Sequence, residues 1–438
     1  SYFTSTEYMG AIDSDIRINK WSWLADKIPD DGGSSPPISD AEVCGDITED
    51  TTWQSTISIV CQVYVQSGVT LTIRSGTTIL SNSVSNDDSG APALVILPGA
   101  TILAEGTASR PITFTTTADP STLPSRGLWG GLIVMGNAPV YEGTQEVEGI
   151  TGQTYGGNDA TESSGTLEYV RVWYGGSVIG ENNEINGITL AGVGSGTTVR
   201  HCEVAFNLDA GFVMFGGTVN LKYISVLFVG DDAIDTDEGY QGKIQFAYVM
   251  IGATGNHGVE MDSKGDDSPR SFPQLYSATF VHHLEGSPES VSSDDQFDAT
   301  LRLREGTGGE FGNIIVTNVP NVGVLQNECA SETRTHSLPS NGAPDYLWFS
   351  SSNIIFGATG ITAFDNQDSC ASDGLSSARI EDPMLTVMPG TADEDTDLID
   401  PRPMSGSPAY SDVDATPSDS FFTNTEYMGA FDSDLWIS

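Results

Sequence analysis

The chain has 438 residues, with 60 Asp and Glu against 17 Lys and Arg, and its formal net charge at pH 7 is −43. A surface this acidic repels phosphate, so nucleic acid is excluded as a partner. No stretch approaches the roughly 20 apolar residues that cross a bilayer, and we predict no membrane span. Hydrophobic residues still make up 38% of the chain, which is enough for a folded core.

Three segments follow one another along the chain. Residues 1–56 are loop-like and form an irregular amino-terminal segment. Between residues 57 and 374, short alternating strands are broken by Gly, Asn, Asp and Ser. Residues 375–438 are irregular and acidic. Because the chain starts with Ser rather than Met, we expect an exported protein, processed at its amino terminus and located outside the cell or on its surface.

The cysteines fit two disulfides. Cys44 and Cys61 are close in sequence, Cys329 and Cys370 both lie in loop-like stretches, and Cys202 is left over. The alternative is five reduced, mostly buried thiols. No CxxC or CxxCH motif occurs, which excludes zinc ribbons and c-type haem. No glycine-rich loop opens a helix, so no nucleotide site is predicted.

The predicted strands recur with a short period. The segments 187–190, 211–214, 233–236 and 258–261 follow one another at offsets of 24, 22 and 25 residues, and a second strand keeps step with them. Such a period, with two or three strands per repeat and no helix, predicts an all-β parallel β-helix, or solenoid. Its coils would stack about 4.8 Å apart, and roughly thirteen coils would give a rod about 60 Å long.

Equivalent positions on successive coils should form ladders along the rod. One ladder is predicted to point inward, and it consists of Ile188, Phe212, Ile234 and Val259. On the second strand, His201 aligns with Tyr223 and Phe246, which indicates that this histidine packs and does not bind a ligand.

The two ends of the chain carry nearly the same motif. Residues 1–15 (the amino copy) and 420–434 (the carboxyl copy) are identical at twelve of fifteen positions, at a constant offset of 419. A docking groove that accepts one copy could accept the other, and such a head-to-tail contact grows a filament because it does not close. The predicted contact residues are Phe3, Tyr8, Met9, Phe422, Tyr427 and Met428. The alternative is that both copies fold back on their own subunit as similar caps.

Several motifs carry a resemblance to a known family. They are Trp129-Gly-Gly-Leu-Ile-Val, Tyr155-Gly-Gly-Asn-Asp, Phe215-Gly-Gly-Thr-Val-Asn and Asp231-Asp-Ala-Ile-Asp-Thr-Asp. With these motifs the chain resembles a widespread group of secreted, right-handed β-helix proteins of Gram-negative bacteria, most of them uncharacterised. The resemblance implies a right-handed β-helix and export, and it brings no agreed activity. The family's terminal motif appears here at the amino end as well.

An acidic patch is the strongest candidate for chemistry. Strand alternation points Asp235 and Asp237 outward, and it points Glu260 and Asp262 outward on the next coil. Each stacked pair would lie about 5 Å apart, and two ionised carboxylates at that distance need a cation between them. Oxygen ligands suit Ca²⁺, and the predicted ligands are Asp231, Asp232, Asp235, Asp237, Glu260 and Asp262. The alternatives are a solvated acidic face and a catalytic acid pair.

The catalytic alternative rests on a faint resemblance to β-helix polygalacturonases. In that family acidic residues hydrolyse a glycosidic bond, assisted by a histidine and by a basic pair that holds the substrate carboxylate. The corresponding residues would be Asp209, Asp231, Asp232, His257, Arg302 and Arg304. Two departures weaken the resemblance, because the basic pair is Arg/Arg and the central motif reads Leu-Asp rather than Thr-Asp.

These observations favour an extracellular structural protein over an enzyme. We predict a β-helix subunit that associates head-to-tail with copies of itself through its duplicated terminal motifs, with Ca²⁺ as a candidate cofactor and surface polysaccharide as a candidate partner. The alternative is a polysaccharide-degrading enzyme, a hydrolase or lyase, that uses the acidic face.

Overall fold

The computed structural model describes most of the chain. The described residues are 22, 41–81, 91–147, 150, 152–180, 183–263, 268–282, 299–329, 346–357, 359–368, 370, 375, 377–387, 400–432 and 435–437. The amino copy of the terminal motif, with Phe3, Tyr8 and Met9, therefore lies outside the described residues.

The described residues form strands, with two short 3-10 helices at Pro120–Thr122 and Pro408–Tyr410. The strands of the first half are β1 (Ala41–Ile47), β2 (Thr51–Trp53), β3 (Thr56–Val65), β4 (Thr70–Ile73), β5 (Thr78–Ser81), β6 (Leu94–Ile96), β7 (Thr101–Glu105), β8 (Ile112–Thr116), β9 (Leu132–Met135), β10 (Gln145–Glu146), β11 (Thr154–Tyr155), β12 (Gly165–Trp173), β13 (Val178–Gly180), β14 (Asn183–Glu184) and β15 (Ile188–Ala191). Those of the second half are β16 (Thr198–Ala205), β17 (Phe212–Phe215), β18 (Asn220–Leu227), β19 (Ile234–Asp237), β20 (Lys243–Met250), β21 (Val259–Met261), β22 (Gln274–Val281), β23 (Ala299–Arg304), β24 (Gly309–Gly312), β25 (Ile315–Val319), β26 (Val322–Asn327), β27 (Leu347–Phe349), β28 (Ile354–Gly357), β29 (Thr362–Asn366), β30 (Leu385–Val387) and β31 (Asp400–Pro403).

The chain winds around a rod with three faces. In one coil, β17 lies on the first face, the first half of β18 on the second face and its second half on the third, and β19 then returns to the first face. All pairings within this 25-stranded sheet are parallel. The result is the predicted right-handed parallel β-helix.

The interior is a continuous apolar column. The predicted ladder is confirmed, because Ile188 pairs with Phe212 and Phe212 with Ile234, and all three are fully buried together with Val259. Each coil contributes a few such side chains, and no single coil could bury them alone. Stacking therefore supplies the core, as it does in other solenoids.

The rod is shorter than predicted and begins earlier. Among the described residues, the first and third faces each contain eleven rungs rather than thirteen, which corresponds to about 50 Å. The β-helix already includes β1 and so begins before residue 57, because β1 pairs in parallel with β3. A disulfide between Cys44 and Cys61 links these two strands.

The corner between the second and third faces is built from aromatic residues. Tyr169, His201, Tyr223 and Phe246 occupy this corner on successive coils, each with a positive φ of 49–59°. This backbone conformation is uncommon for bulky residues, and it turns the chain within a single residue. Their rings stack outside the corner with centroids 4.4, 4.6 and 4.8 Å apart. The predicted packing role of His201 is confirmed.

The carboxyl-terminal segment runs along the outside of the rod. Ala430, Phe431 and Ile437 are buried against the outer side chains of the third face. Met428 is buried further along, in a cluster with Ile315 and Ile354. The carboxyl copy of the terminal motif is therefore docked on its own subunit. It lies along the side of the β-helix.

Candidate functional site

The acidic patch forms on the first face as predicted, and a third rung completes it. Asp235 pairs with Glu260 in register, and Glu260 pairs with Arg302 on the following coil. The main-chain N–H of Asp262 donates to the carbonyl of Thr236, which keeps these coils in step. We call the outward column of Asp235, Glu260 and Arg302 the charged ladder.

Two arginines supply the counter-charge inside this ladder. Arg302 Nη1 lies 2.6 Å from Glu260 Oε1, and Arg302 Nη2 lies 3.0 Å from Glu328 Oε1. Arg304 contacts the same two glutamates at 3.2 and 2.8 Å and lies 3.5 Å from Asp262 Oδ1. Neighbouring carboxylates, Asp262 first among them, raise the pKa of Arg304 further above its usual range despite partial burial. Arg304 Nη2 also lies 3.4 Å from Glu305 Oε1, so four carboxylates of the described residues engage the two guanidinium groups.

Asp232 and His257 form a buried pair at the next corner. Asp232 Oδ1 accepts both the main-chain N–H of His257 and a 2.8 Å contact from His257 Nδ1. His257 is fully buried and Asp232 is 4% exposed. Burial, and then the charges of Asp231 and Glu260, raise the pKa of Asp232 well above its usual value. A polymeric substrate has little access to such a pair.

The remaining predicted residues surround this pair. Asp231 lies one residue before Asp232, and its Oδ1 accepts a long 3.4 Å hydrogen bond from the Asn256 amide. Asp237 accepts the main-chain N–H of Glu238 at the end of β19. Asp209 is half-buried at the same corner, one coil earlier. The residues of both the metal and the catalytic predictions therefore converge on the charged ladder and the corner beside it.

One group in this region has the spacing of a metal site. Asp232, His257 and Glu260 each offer one ligand atom, and these atoms lie within 4.8 Å of one another. A cation there would compete with Arg302, which already contacts Glu260. Burial and the carboxylates of Asp262 and Glu260 raise the pKa of Asp235. Repulsion among these carboxylates therefore disfavours the ionised form of Asp235. Calcium binding stays a prediction.

The cysteine prediction is confirmed. Disulfides join Cys44 to Cys61 and Cys329 to Cys370, with Cα–Cα distances of 5.1 Å in both. Cys202 is buried and reduced, and burial raises the pKa of its thiol to about 12, so it is unreactive at neutral pH.

The carboxyl copy occupies a second candidate site, which crosses the aromatic corner. We call this site the docking groove, and its lining residues are Lys222, Gln245, Tyr248, Tyr276, Thr279 and Asn313. Three of these lining residues, Lys222, Gln245 and Tyr276, lie in register on successive coils of the second face.

Hydrogen bonds to the main chain fix the docked segment at one end of the groove. The Gln245 side chain donates to the Thr423 carbonyl at 2.7 Å and accepts the Thr423 N–H at 2.8 Å. Lys222 Nζ donates to the Phe421 carbonyl at 2.7 Å and to Thr423 Oγ1 at 2.8 Å. The Phe422 ring packs edge-on against Tyr276, with centroids 5.1 Å apart.

The other end of the groove is equally specific. The Ala430 N–H donates to Thr279 Oγ1 at 2.9 Å, and the Gly429 N–H donates to the Asn313 carbonyl at 2.8 Å. Phe431 packs edge-on against Tyr248 at 5.1 Å. Of the predicted contact residues in this copy, Phe422 and Met428 are buried and Tyr427 is half-buried.

The position and lining of the docking groove were not predictable from the sequence. Gln245 and Thr279 point outward from regular strands, yet both are buried. A polar residue that is outward-facing in the repeat gives no indication of what covers it. The aromatic residues aligned at the corner were the one available signal, and they were assigned to packing alone.

Protonation of His201 should loosen the end of the docked segment. Burial, and then Arg200, lower the pKa of His201 to about 4, and Trp436 packs edge-on against its ring, which also lies between Tyr169 and Tyr223. The folded-state pKa lies below the unfolded value of about 6.5, so stability is unaffected above pH 6.5 and falls as the pH drops towards 4.

The measurement compares the parent with His201→Phe, which keeps the stacked ring without a titratable group. We expect the difference in unfolding free energy between the two proteins to be constant above pH 6.5. Between pH 6.5 and 4 the parent should lose up to about 3 kcal/mol of unfolding free energy relative to His201→Phe. The loss should be smaller to the extent that solvent screens the histidine charge. A pH-independent difference in urea unfolding would contradict the assignment.

The fold and the docked segment define a class of protein, a parallel β-helix that carries its carboxyl-terminal segment along its own side. A family profile described as "Pectate-lyase like beta helix domain" matches residues 45–343, more than half of the chain, and the chain belongs to this family. No curated protein and no solved structure matches it. No helix among the described residues is long and apolar enough to cross a membrane.

Proposed function

We propose that this protein is an extracellular structural subunit, exported to the cell surface or beyond, that associates head-to-tail with copies of itself through its duplicated terminal motifs. The observation that supports this proposal is the carboxyl copy, which lies docked on the β-helix of its own subunit. A chain with two copies of such a segment can dock one copy on its own β-helix and the other on the β-helix of a neighbour. Such a contact is heterologous and propagates.

The charge and the covalent links are consistent with this role. Two disulfides secure the first strands and the last coils of the rod, which suits an oxidising compartment. A net charge of −43 keeps rods apart unless a specific contact joins them. Surface polysaccharide, bridged by Ca²⁺ to the acidic faces, remains a proposed partner of the assembled rod.

Deletion of residues 1–15 is expected to abolish filaments and leave the β-helix intact. The amino copy precedes the first described strand, β1, so the core rungs keep all their pairings. Negative-stain microscopy should show filaments of the parent and dispersed rods of the deletion variant, with the same far-UV circular dichroism. Ser5→Ala, within the same copy, is the control and should assemble like the parent. Filaments that survive the deletion, or a parent that forms none, would sink the proposal.

A polysaccharide-cleaving enzyme is the second candidate, and the convergence of its predicted residues is the observation in its favour. Asp232, His257 and Arg302 lie within one cluster, as the resemblance implies. Against it, the arginines are engaged by the chain's own carboxylates. Incubation with acidic and neutral polysaccharides should release no reducing ends or unsaturated products. Release of either that is lost in Asp232→Asn would establish the enzyme instead.

A further inference from the structure

We propose that the docking groove is the acceptor site for the amino copy of a second molecule of this chain, bound in the same register as the carboxyl copy. The inference deepens the proposed function and rests on it for the claim that a second molecule supplies the segment. It adds the site, the register and the contacts.

The residues that contact the groove recur in the amino copy. Phe422, Thr423 and Met428 correspond to Phe3, Thr4 and Met9 at the offset of 419. Gly429 and Ala430, whose N–H groups bind Asn313 and Thr279, correspond to Gly10 and Ala11. The three differences are conservative, and they are Tyr2 for Phe421, Ser5 for Asn424 and Ile12 for Phe431.

A glycine makes the register specific. Gly429 has a φ of +86°, and a Cβ at this position would lie 2.6 Å from Thr279 Oγ1 and 2.8 Å from Ile315 Cδ1. Only glycine combines this backbone conformation with so close an approach. The amino copy has Gly10 at the equivalent position, so it meets the strictest requirement of the groove.

One residue of the amino-terminal region, Ser22, contacts the third face beside the groove. Ser22 is fully buried, and its Oγ donates to Glu203 Oε2 at 2.6 Å. Glu203 belongs to the third-face column that continues through Ser225 to Tyr248, where Phe431 docks. In the shared register Arg17 would take the position of Trp436, five residues from Ser22. An extended chain of that length spans at most about 18 Å, so the chain's own amino copy can also reach the groove, and the crosslinking experiment separates this source from a second molecule.

One groove holds one copy at a time. The Gln245 amide, the Thr279 hydroxyl and the Asn313 carbonyl are each used by the carboxyl copy, so the amino copy enters only when that copy leaves. A copy tethered in the same chain competes at an effective concentration of the order of mM. At equal affinity the tethered copy is therefore favoured whenever the chain concentration is below this value, and the contacts of a neighbouring rod must supply the difference before the amino copy displaces it.

Peptide binding to the full chain tests the site. A fluorescent peptide of residues 1–19 should bind a full-length Gly429→Ala variant, whose own copy is weakened, at least about tenfold more tightly than it binds the parent. The same peptide with Gly10→Ala should bind that variant about tenfold more weakly, because alanine is strained at positive φ. The Ser5→Ala peptide is the matched control and should bind like the unmodified peptide.

A second full-length variant tests the site if Gly429→Ala fails to fold. Phe431→Ala weakens the docked copy without changing the backbone, and it should also admit the peptide. Adding Thr279→Val to either variant removes the acceptor for the Ala11 N–H and should weaken peptide binding. Equal binding of the Gly10→Ala and unmodified peptides, or no binding to either variant, would overturn the inference.

A photo-crosslinker in place of Phe3 tests whether the segment comes from another molecule. In filaments assembled from a mixture of isotope-labelled and unlabelled chains, it should join Tyr276 of a differently labelled chain. Crosslinks confined to one chain would overturn the inference and leave the proposed function standing. If the parent forms no filaments, the proposed function fails, and peptide binding still decides whether the groove recognises the amino copy.

Discussion

Replacement of Arg302 by glutamine is expected to lower the free energy of unfolding at pH 7 by about 3–5 kcal/mol. The Arg302 side chain is 2% exposed and contacts Glu260 and Glu328, so the change removes one of the two guanidinium groups that neutralise the largely buried Glu260 carboxylate. Urea unfolding with an unchanged m-value would measure the loss of stability directly.

The deficit should shrink as the pH falls from neutral towards the unfolded-state pKa of an aspartate, about 3.9. Burial raises the pKa of Asp232, Asp231 and Glu260 raise it further, and Arg302 holds it down. Without the arginine, this pKa rises further above its unfolded value of about 3.9, and the folded state binds protons more tightly than the unfolded chain. Acid therefore restores part of the stability until the pH approaches 4.

Arg200→Gln is the matched control. Arg200 pairs with Glu168 at 2.9 Å, but its side chain is 52% exposed. Exposed pairs contribute at most about 1 kcal/mol, so this variant should be nearly as stable as the parent at every pH. Equal losses in the two variants would contradict the view that the charged ladder is a buried, mutually dependent network.

The calcium prediction can be tested on the same proteins. A bound ion at a hundredfold excess over its Kd should raise the unfolding free energy of the parent by about 2.7 kcal/mol. Asp235→Asn should lose this gain, because it removes one of the ladder's carboxylates. Identical thermal unfolding of the parent in Ca²⁺ and in chelator would rule out a calcium site here.

Replacement of Trp129 by alanine should cost about 3–5 kcal/mol. Trp129 is fully buried, its ring stacks on Phe114 with centroids 6.2 Å apart, and its indole N–H donates to the Trp173 carbonyl at 2.7 Å. The substitution therefore leaves a cavity inside the rod and an unsatisfied carbonyl. Denaturant unfolding measures the cost.

Trp348→Ala provides the comparison for the same change of residue type. Trp348 lies on β27 between two buried neighbours, Leu347 and Phe349, and faces outward with its side chain half-buried. We expect it to cost less than half as much as Trp129→Ala. A larger loss from Trp348 than from Trp129 would mean that the inside and the outside of the coils are wrongly assigned.

The periodic part of the fold could be predicted, because each coil repeats the same alternation of inward apolar and outward polar residues. The inward ladder and the pairing of Asp235 with Glu260 both follow from a period of 22–25 residues. The pairing of Glu260 with Arg302 did not follow, since 42 residues separate them and the period is interrupted between β21 and β23. The same long connections lower the number of rungs, of which the described residues contain eleven where roughly thirteen were predicted.

The architecture of this protein follows from its amino-acid pattern, since coils with a shared inward pattern bury their apolar residues by stacking. The sequence also revealed that the two ends carry one motif. The position of the docked carboxyl copy could not be predicted, because its groove is assembled from Gln245, Thr279 and Asn313 on three different coils. The tertiary structure also decided how the charged ladder is neutralised, because the balance of buried charges depends on side chains that only folding brings within a few ångströms.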